Sequence, residues 1–203
     1  MNPSDGDQRT AAAATARRII DASKLDVAAA ERAARDLLRA IGADVESPDL
    51  LETPRRVAAS FAELVTPAEF DATLFHNEGY DELVLVRDIP FHTLCMHHLL
   101  PFHGQAHVAY IPSERIVGIS KLARVVEFFA RDLQLQERMT EQIADWLEQE
   151  LAPRGAGVVL RAEHMCMTIR GVRKPGARTI TSAVRGSLRD DARTRQEFFS
   201  LVG

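Results

Sequence analysis

"ELVLVRDIPFHTLCMHHLLPFHGQAHVAYIP", Glu82 to Pro112, sets two strand-like runs on either side of a turn crowded with soft and titratable side chains. The second run alternates Ala106, Val108 and Tyr110 with Gln105, His107 and Ala109, the two-residue period of a half-buried strand. Between the runs, Thr93 to Gly104 holds one of the chain's two cysteines and three of its seven histidines. Downstream the period changes. Ser120 opens a helix with an apolar face of Leu122, Val125, Val126 and Phe129, and Gln136 opens another through Met139, Ile143, Trp146, Leu147 and Leu151. After Pro153-Arg154-Gly155 come GVVLRAEHMCMTIRG and RTITSAVRG, both strand-like, and then a short helix from Arg195 to Leu201. Strands, two helices and strands again predict an α+β fold with an antiparallel sheet.

Upstream, the first ten or so residues read as disordered, and Ala11 to Ile41 as one or two helices with breaks near Ser23 and Gly42. Thr53-Pro54 starts a further helix striped with Val57, Phe61, Leu64 and Val65. The expected division is an N-terminal disordered and helical extension over 1–50 and a catalytic domain over 51–203.

With 203 residues, 46% of them hydrophobic and 27% charged, the composition is that of an ordinary globular protein. No long apolar run suggests a membrane span, and MNPSDGDQRT does not resemble a signal peptide, so a cytoplasmic location is expected. Two cysteines make no disulfide framework, which leaves Cys95 and Cys166 as reduced thiols. The net charge of −4 conceals a +7 stretch from Arg154 to Arg195 within a remainder of −11. A basic segment inside an acidic protein suits a small anion better than nucleic acid, which the remainder would repel.

Cys95 and His98 are three apart, close enough to hold one ion, and strand alternation places His164 and Cys166 on one face. Cys95, His98 and Cys166 then form a soft set suited to zinc, with a fourth position open to water. His97 and His164 remain for proton transfer, although either could instead close a structural zinc site. His76, His92, His103 and His107 are expected to have no ligand role. Ser120, Lys121 and Arg124 lie at a helix start, where free N–H groups favour phosphate oxygens. Arg170 is expected on the same strand face as Cys166. Neither phosphate-binding glycine loop motif occurs. Gln136-Glu137 is an ordinary helix start, but an amide beside a carboxylate also suits the N–H edge of guanine.

VRDIPFHTLCMHHLLPFHG, VAYIPSERIVGISKLARVVEFFARDLQLQERMTEQIA, EHMCMTIRGVRKPGARTITSAVRG and TRQEFFSLV together resemble the GTP cyclohydrolase I family over about residues 50 to 201. The resemblance implies that Cys95, His98 and Cys166 bind zinc and that His97 and His164 are catalytic. It further implies that Ser120, Lys121, Arg124, Arg170 and Arg56 contact a triphosphate, and that Gln136 and Glu137 read guanine. The reaction implied turns GTP and water into 7,8-dihydroneopterin triphosphate and formate, the first step of pterin and tetrahydrofolate biosynthesis. The implied fold is the T-fold, an antiparallel sheet backed by two helices, assembled as a homodecamer with active sites at subunit interfaces. Where the family usually reads Cys-Glu-His-His, this chain has Cys95-Met96-His97-His98, and Ala59 replaces a lysine that some members carry. Two rival readings stay open. One is a divergent paralogue that releases a ring-opened or formylated intermediate for a deazapurine or pterin pathway. The other is a non-catalytic, zinc-stabilised oligomer, against which the retained histidines and triphosphate set weigh.

Overall fold

A computed structural model describes residues 18–203, so the expected disorder of the first ten residues and the start of the Ala11–Ile41 helical region lie outside the described residues. The strands are β1 (Leu74–His76), β2 (Val84–Cys95), β3 (Pro101–Ile111), β4 (Arg115–Val117), β5 (Leu133–Gln134), β6 (Gly155–His164) and β7 (Thr179–Gly186). The helices are α1 (Val27–Ala40), α2 (Thr53–Val65), α3 (Ile119–Ala130), α4 (Gln136–Leu151), α5 (Met165–Thr168), α6 (Ser187–Asp190) and α7 (Ala192–Val202). Five strands form the main sheet in the order β5-β2-β3-β6-β7, and β1 pairs with β4 in a separate two-stranded ladder. All main-sheet neighbours are antiparallel except β5, which runs parallel to β2 through Leu94↔Leu133 and Cys95↔Gln134.

Strand alternation gives the main sheet two different faces. Phe91, Phe102, Ala106, Val108 and Tyr110 join Ala156, Val158, Leu160 and Ala162 in burying one face against α3 and α4. Those helices answer with Leu122, Val125, Val126 and Phe129, and with Met139, Ile143, Leu147 and Leu151. Each large apolar side chain buried this fully contributes roughly 1.5–3 kcal/mol, so this layer dominates the stability of the fold. The sequence resemblance to a sheet backed by two helices is therefore met.

The opposite face is only half covered. Ala109, Ile111 and Val159 pack against Leu188 of α6 and against Phe198 and Val202 of α7. Gly157 makes this contact possible, because a Cβ there would lie 2.7 Å from Leu188 Cδ2 and 2.8 Å from Phe198 Cε1. The clean alternation read in β3 consequently stops after Gln105. His107 and Ala109, expected on the polar side, are buried, and the strand is enclosed on both faces from Ala106 to Ile111.

The largest departure from the expected elements comes after His164. Strand β6 ends there and Met165–Thr168 forms one helical turn, so Cys166 and Arg170 do not share a strand face. Arg170 lies beyond that turn, yet close enough for its charge to act on the Cys166 thiol. The apolar stripe expected on α2 is also thinner than read, with Pro54, Ala58 and Val65 buried and Phe61 exposed.

At the N-terminal side, Asp26 caps α1 by accepting from the Ala29 N–H, and α1 packs on α2. Ahead of it, Arg18 donates to the carbonyls of Val65 at 2.9 Å and Arg131 at 2.6 Å. The N–H groups of Ile19 and Ile20 donate to the carboxylate of Asp132 at 2.8 and 2.9 Å. Asp132 is fully buried and also accepts from the Leu133 N–H.

Candidate functional site

The hairpin between β2 and β3 presents Cys95 at its strand end and His98 in the turn. The turn is held by the Cys95 carbonyl, which accepts from the N–H groups of both His98 and Leu99. From the other side of the sheet's end, α5 brings Cys166. The ligand atoms of Cys95, His98 and Cys166 lie within 4.8 Å of one another, a set that could hold one metal ion. Cys95 is buried, Cys166 half-buried and His98 exposed, so the cluster opens to solvent on the imidazole side. Burial and then the neighbouring Cys95 sulfur push the Cys166 thiol up, while Arg170 pulls it the other way. A thiol whose ionisation its sulfur neighbour discourages is what a soft divalent cation relieves, and the donor set fits zinc.

His164, at the end of β6, stacks on Phe102 with ring centroids 4.4 Å apart and planes 9° from parallel. Its Nε2 lies 2.8 Å from Gln136 Oε1. The orientation of that amide follows from its other partners, since Gln136 Nε2 donates to the carbonyls of Leu160 and Thr179 and to Thr181 Oγ1. With the amide nitrogen facing three acceptors, the oxygen faces His164. Nε2 of His164 therefore carries the hydrogen, leaving Nδ1 as the basic nitrogen of the neutral ring. Burial pushes His164 below the ordinary histidine value, and the carboxylate of Glu137 pulls it back upward. A neutral imidazole with a fixed tautomer is suited to accept a proton.

Gln136 is thus buried and its amide hydrogens are committed, which leaves it no free donor for a guanine edge. Glu137, one residue on, is exposed and close enough for its charge to act on His164. His97 is exposed beside His98, with ring centroids 6.3 Å apart. Ser120 and Arg124 are exposed on the first turns of α3, and Lys121 is half-buried there. Arg170 is exposed next to Cys166. Arg56 stands exposed on α2 near Glu52 and makes no hydrogen bond or ion pair with the other site residues among the described residues.

Two supporting residues escaped the sequence reading. Thr181 completes the Gln136 network, and its Oγ1 also lies 2.6 Å from Thr140 Oγ1. Arg138 backs the metal turn: its Nε donates to Gln134 Oε1 at 3.1 Å, its Nη2 to the Leu133 carbonyl, and its Nη1 lies 3.9 Å from Met96 Sδ. The spacing of four between Gln134 and Arg138 was a readable signal, whereas the pairing of β7 with α4 had none.

An imidazole of fixed tautomer, a cluster that could hold a soft cation and an arginine beside it are compatible with a hydrolytic enzyme for anionic small molecules. Comparison with known proteins narrows that class. Residues 30–203 match the family model described as GTP cyclohydrolase I, and the chain belongs to that family. It is 50% identical over 186 residues to a GTP cyclohydrolase 1 of Lysinibacillus sphaericus, covering 89% of this chain and 98% of the relative. The Aquifex aeolicus GTP cyclohydrolase 1 is 53% identical over 173 residues, covering 85% and 94%. That of Bacillus subtilis is 54% identical over 178 residues, covering 85% and 93%. Among solved structures, the archaeosine synthase QueF-Like in the apo form is similar over 51% of this chain and 93% of its own, at 15% identity and a TM-score of 0.43.

Proposed function

We propose that this protein is a zinc-dependent GTP cyclohydrolase I, converting GTP and water to 7,8-dihydroneopterin triphosphate and formate in the cytoplasm. The observation that carries the reading is the Cys95, His98 and Cys166 cluster in a chain about half identical to curated GTP cyclohydrolase 1 proteins along most of its length. Cys95, His98 and Cys166 would hold zinc, which when bound would supply Lewis-acid chemistry. His164 accepts and returns protons at Nδ1 while Gln136 holds its other nitrogen, and His97 serves as the second, solvent-facing acid–base group. Ser120, Lys121, Arg124 and Arg170 grip the triphosphate, and Glu137 accepts from the guanine N–H edge. Gln136 acts as a positioning residue for His164. Arg56, exposed on α2, is a further triphosphate contact, and the sites lie at subunit interfaces of a homodecamer. Exposure of Leu99, Met167, Ile169 and Val172 around the cluster supports such an interface.

The test is to incubate the purified protein with GTP and follow formate and dihydropterin fluorescence separately. Equal yields, one zinc per chain, and loss of both metal and turnover in Cys166→Ala are expected. Formate without pterin would instead mark a paralogue that stops early, and neither product from zinc-loaded protein would mark a non-catalytic oligomer.

A further inference from the structure

The sheet face turned away from α3 and α4 is covered by α6 and α7 at one end only. At the other end it opens into a cleft of about 310 Å3 among β2, β3, β6 and the segment entering β7. That size falls at the small end of ligand sites, which run from about 300 to 1,000 Å3 and admit small molecules rather than polymers. Its polar lining is His103, Gln105, Arg161, Glu163 and Arg178. The register pairs His103 with Glu163 and Gln105 with Arg161, so strand geometry sets these four side chains on the same outer face. Ser120, Lys121 and Arg124 lie on α3, across the sheet, so the cleft is a separate place from the proposed triphosphate grip.

Its side-chain donors are short of partners. Among the described residues, the side chains of Arg178 and His103 make no hydrogen bond or ion pair. Arg161 donates through Nη2 to the Gly203 carbonyl, but its Nε is buried with no acceptor. The single carboxylate, Glu163, is partly engaged, accepting from the Gly176 N–H at 3.1 Å. A buried guanidinium nitrogen without an acceptor is costly, and guanidinium groups bind planar or tetrahedral oxyanions through paired N–H donors.

We propose that this cleft is a second oxyanion site, in which Arg161, Arg178 and His103 hold a phosphate or carboxylate group of a small molecule. Inorganic phosphate and acetate are the probes, each titrated by equilibrium dialysis against the full-length, zinc-loaded protein in its native assembly. Native protein is expected to bind in two classes of site. Arg178→Gln should weaken one class at least tenfold without altering KM for GTP, and Arg124→Gln should weaken the other. Glu163→Gln should tighten the Arg178-dependent class several-fold, because it removes an opposing charge while its amide oxygen still accepts from Gly176. A gain of that kind cannot come from misfolding. Phosphate alone in this class identifies a phosphate ligand, and acetate alone or equally a carboxylate one. Isotherms for both probes that are identical in native and Arg178→Gln protein, or no effect of Glu163→Gln, would overturn the proposal.

Discussion

Glu137 and His164 together set the pH range in which the proposed acid–base step runs. As a base His164 must be neutral, so kcat/KM falls as pH drops through its pKa. Burial places that pKa below the ordinary value of about 6.5, and Glu137 opposes the shift. Replacing the carboxylate in Glu137→Gln should therefore move the acid limb of kcat/KM further down in pH, while guanine discrimination over adenine weakens. A limb that moves up would refute the assignment. Folding stability has the same sign: the unfolded chain protonates first, so the contribution of His164 is present above the ordinary histidine value and is lost as pH falls toward its folded pKa. Met96 is the other informative residue. Arg138 lies against its sulfur where the family usually has a glutamate, so Met96→Glu should form a half-buried ion pair. The expected result is a gain of about 0.5–1 kcal/mol in unfolding free energy with unchanged zinc content. A loss of stability would instead place Met96 against an apolar neighbour. The clustering of Cys95, His98 and Cys166 was legible at this scale. The duty of Gln136 was not, because its partners Thr179 and Thr181 lie 43 and 45 residues away and only the pairing of β7 with β6 brings them in.

Among the elements, α3 and α4 were readable from their apolar period, and β2, β3 and β7 as strand-like runs. His164-Met165-Cys166-Met167 alternates polar with apolar as a strand does, and nothing local betrays that the chain turns helical after His164. β1 and β4 are three residues each, too short to carry a period. The segment from Arg18 to Ile20 is likewise silent in sequence, since its anchor Asp132 is 113 residues from Ile19. That anchor matters for the site. Asp132 precedes β5, whose Gln134 carbonyl accepts from the Met96 N–H in the metal turn, and Thr93 Oγ1 donates to the Asp132 carbonyl. Asp132→Asn turns one carboxylate oxygen into a donor facing N–H groups. It should cost about 1.5–3 kcal/mol in urea unfolding and weaken zinc retention, whereas an unchanged midpoint would show that the strap is idle.

For the molecule as a whole, the second apolar layer and the Cys95, His98 and Cys166 cluster occupy different ends of the sheet. Gly157 lies under α6 and α7, away from the cluster, so Gly157→Ala should lower unfolding free energy by about 1–3 kcal/mol through overpacking against Leu188 and Phe198. Turnover per folded, zinc-loaded chain should stay at the native value, and a fall in kcat would show that the two ends are coupled. The α+β class was legible from the sequence because its helices and strands carry different periods. The second apolar layer was not, because Ala109 read as the outer side of a half-buried strand until α7 folds back over it.

The placement of Cys95 and His98 before β3 and of Cys166 after β6 has a consequence for assembly of the fold. A cation shared by the three residues closes a loop containing β3, β4, α3, β5, α4 and β6, as a covalent cross-link would. Such a closure lowers the entropy of the unfolded ensemble whenever the ligands stay engaged, and otherwise its binding energy is gained only on folding. Either way, chelation should lower the thermal midpoint of native protein and leave that of Cys166→Ala where it was. A cation held there would tie the middle of the chain into one folding unit.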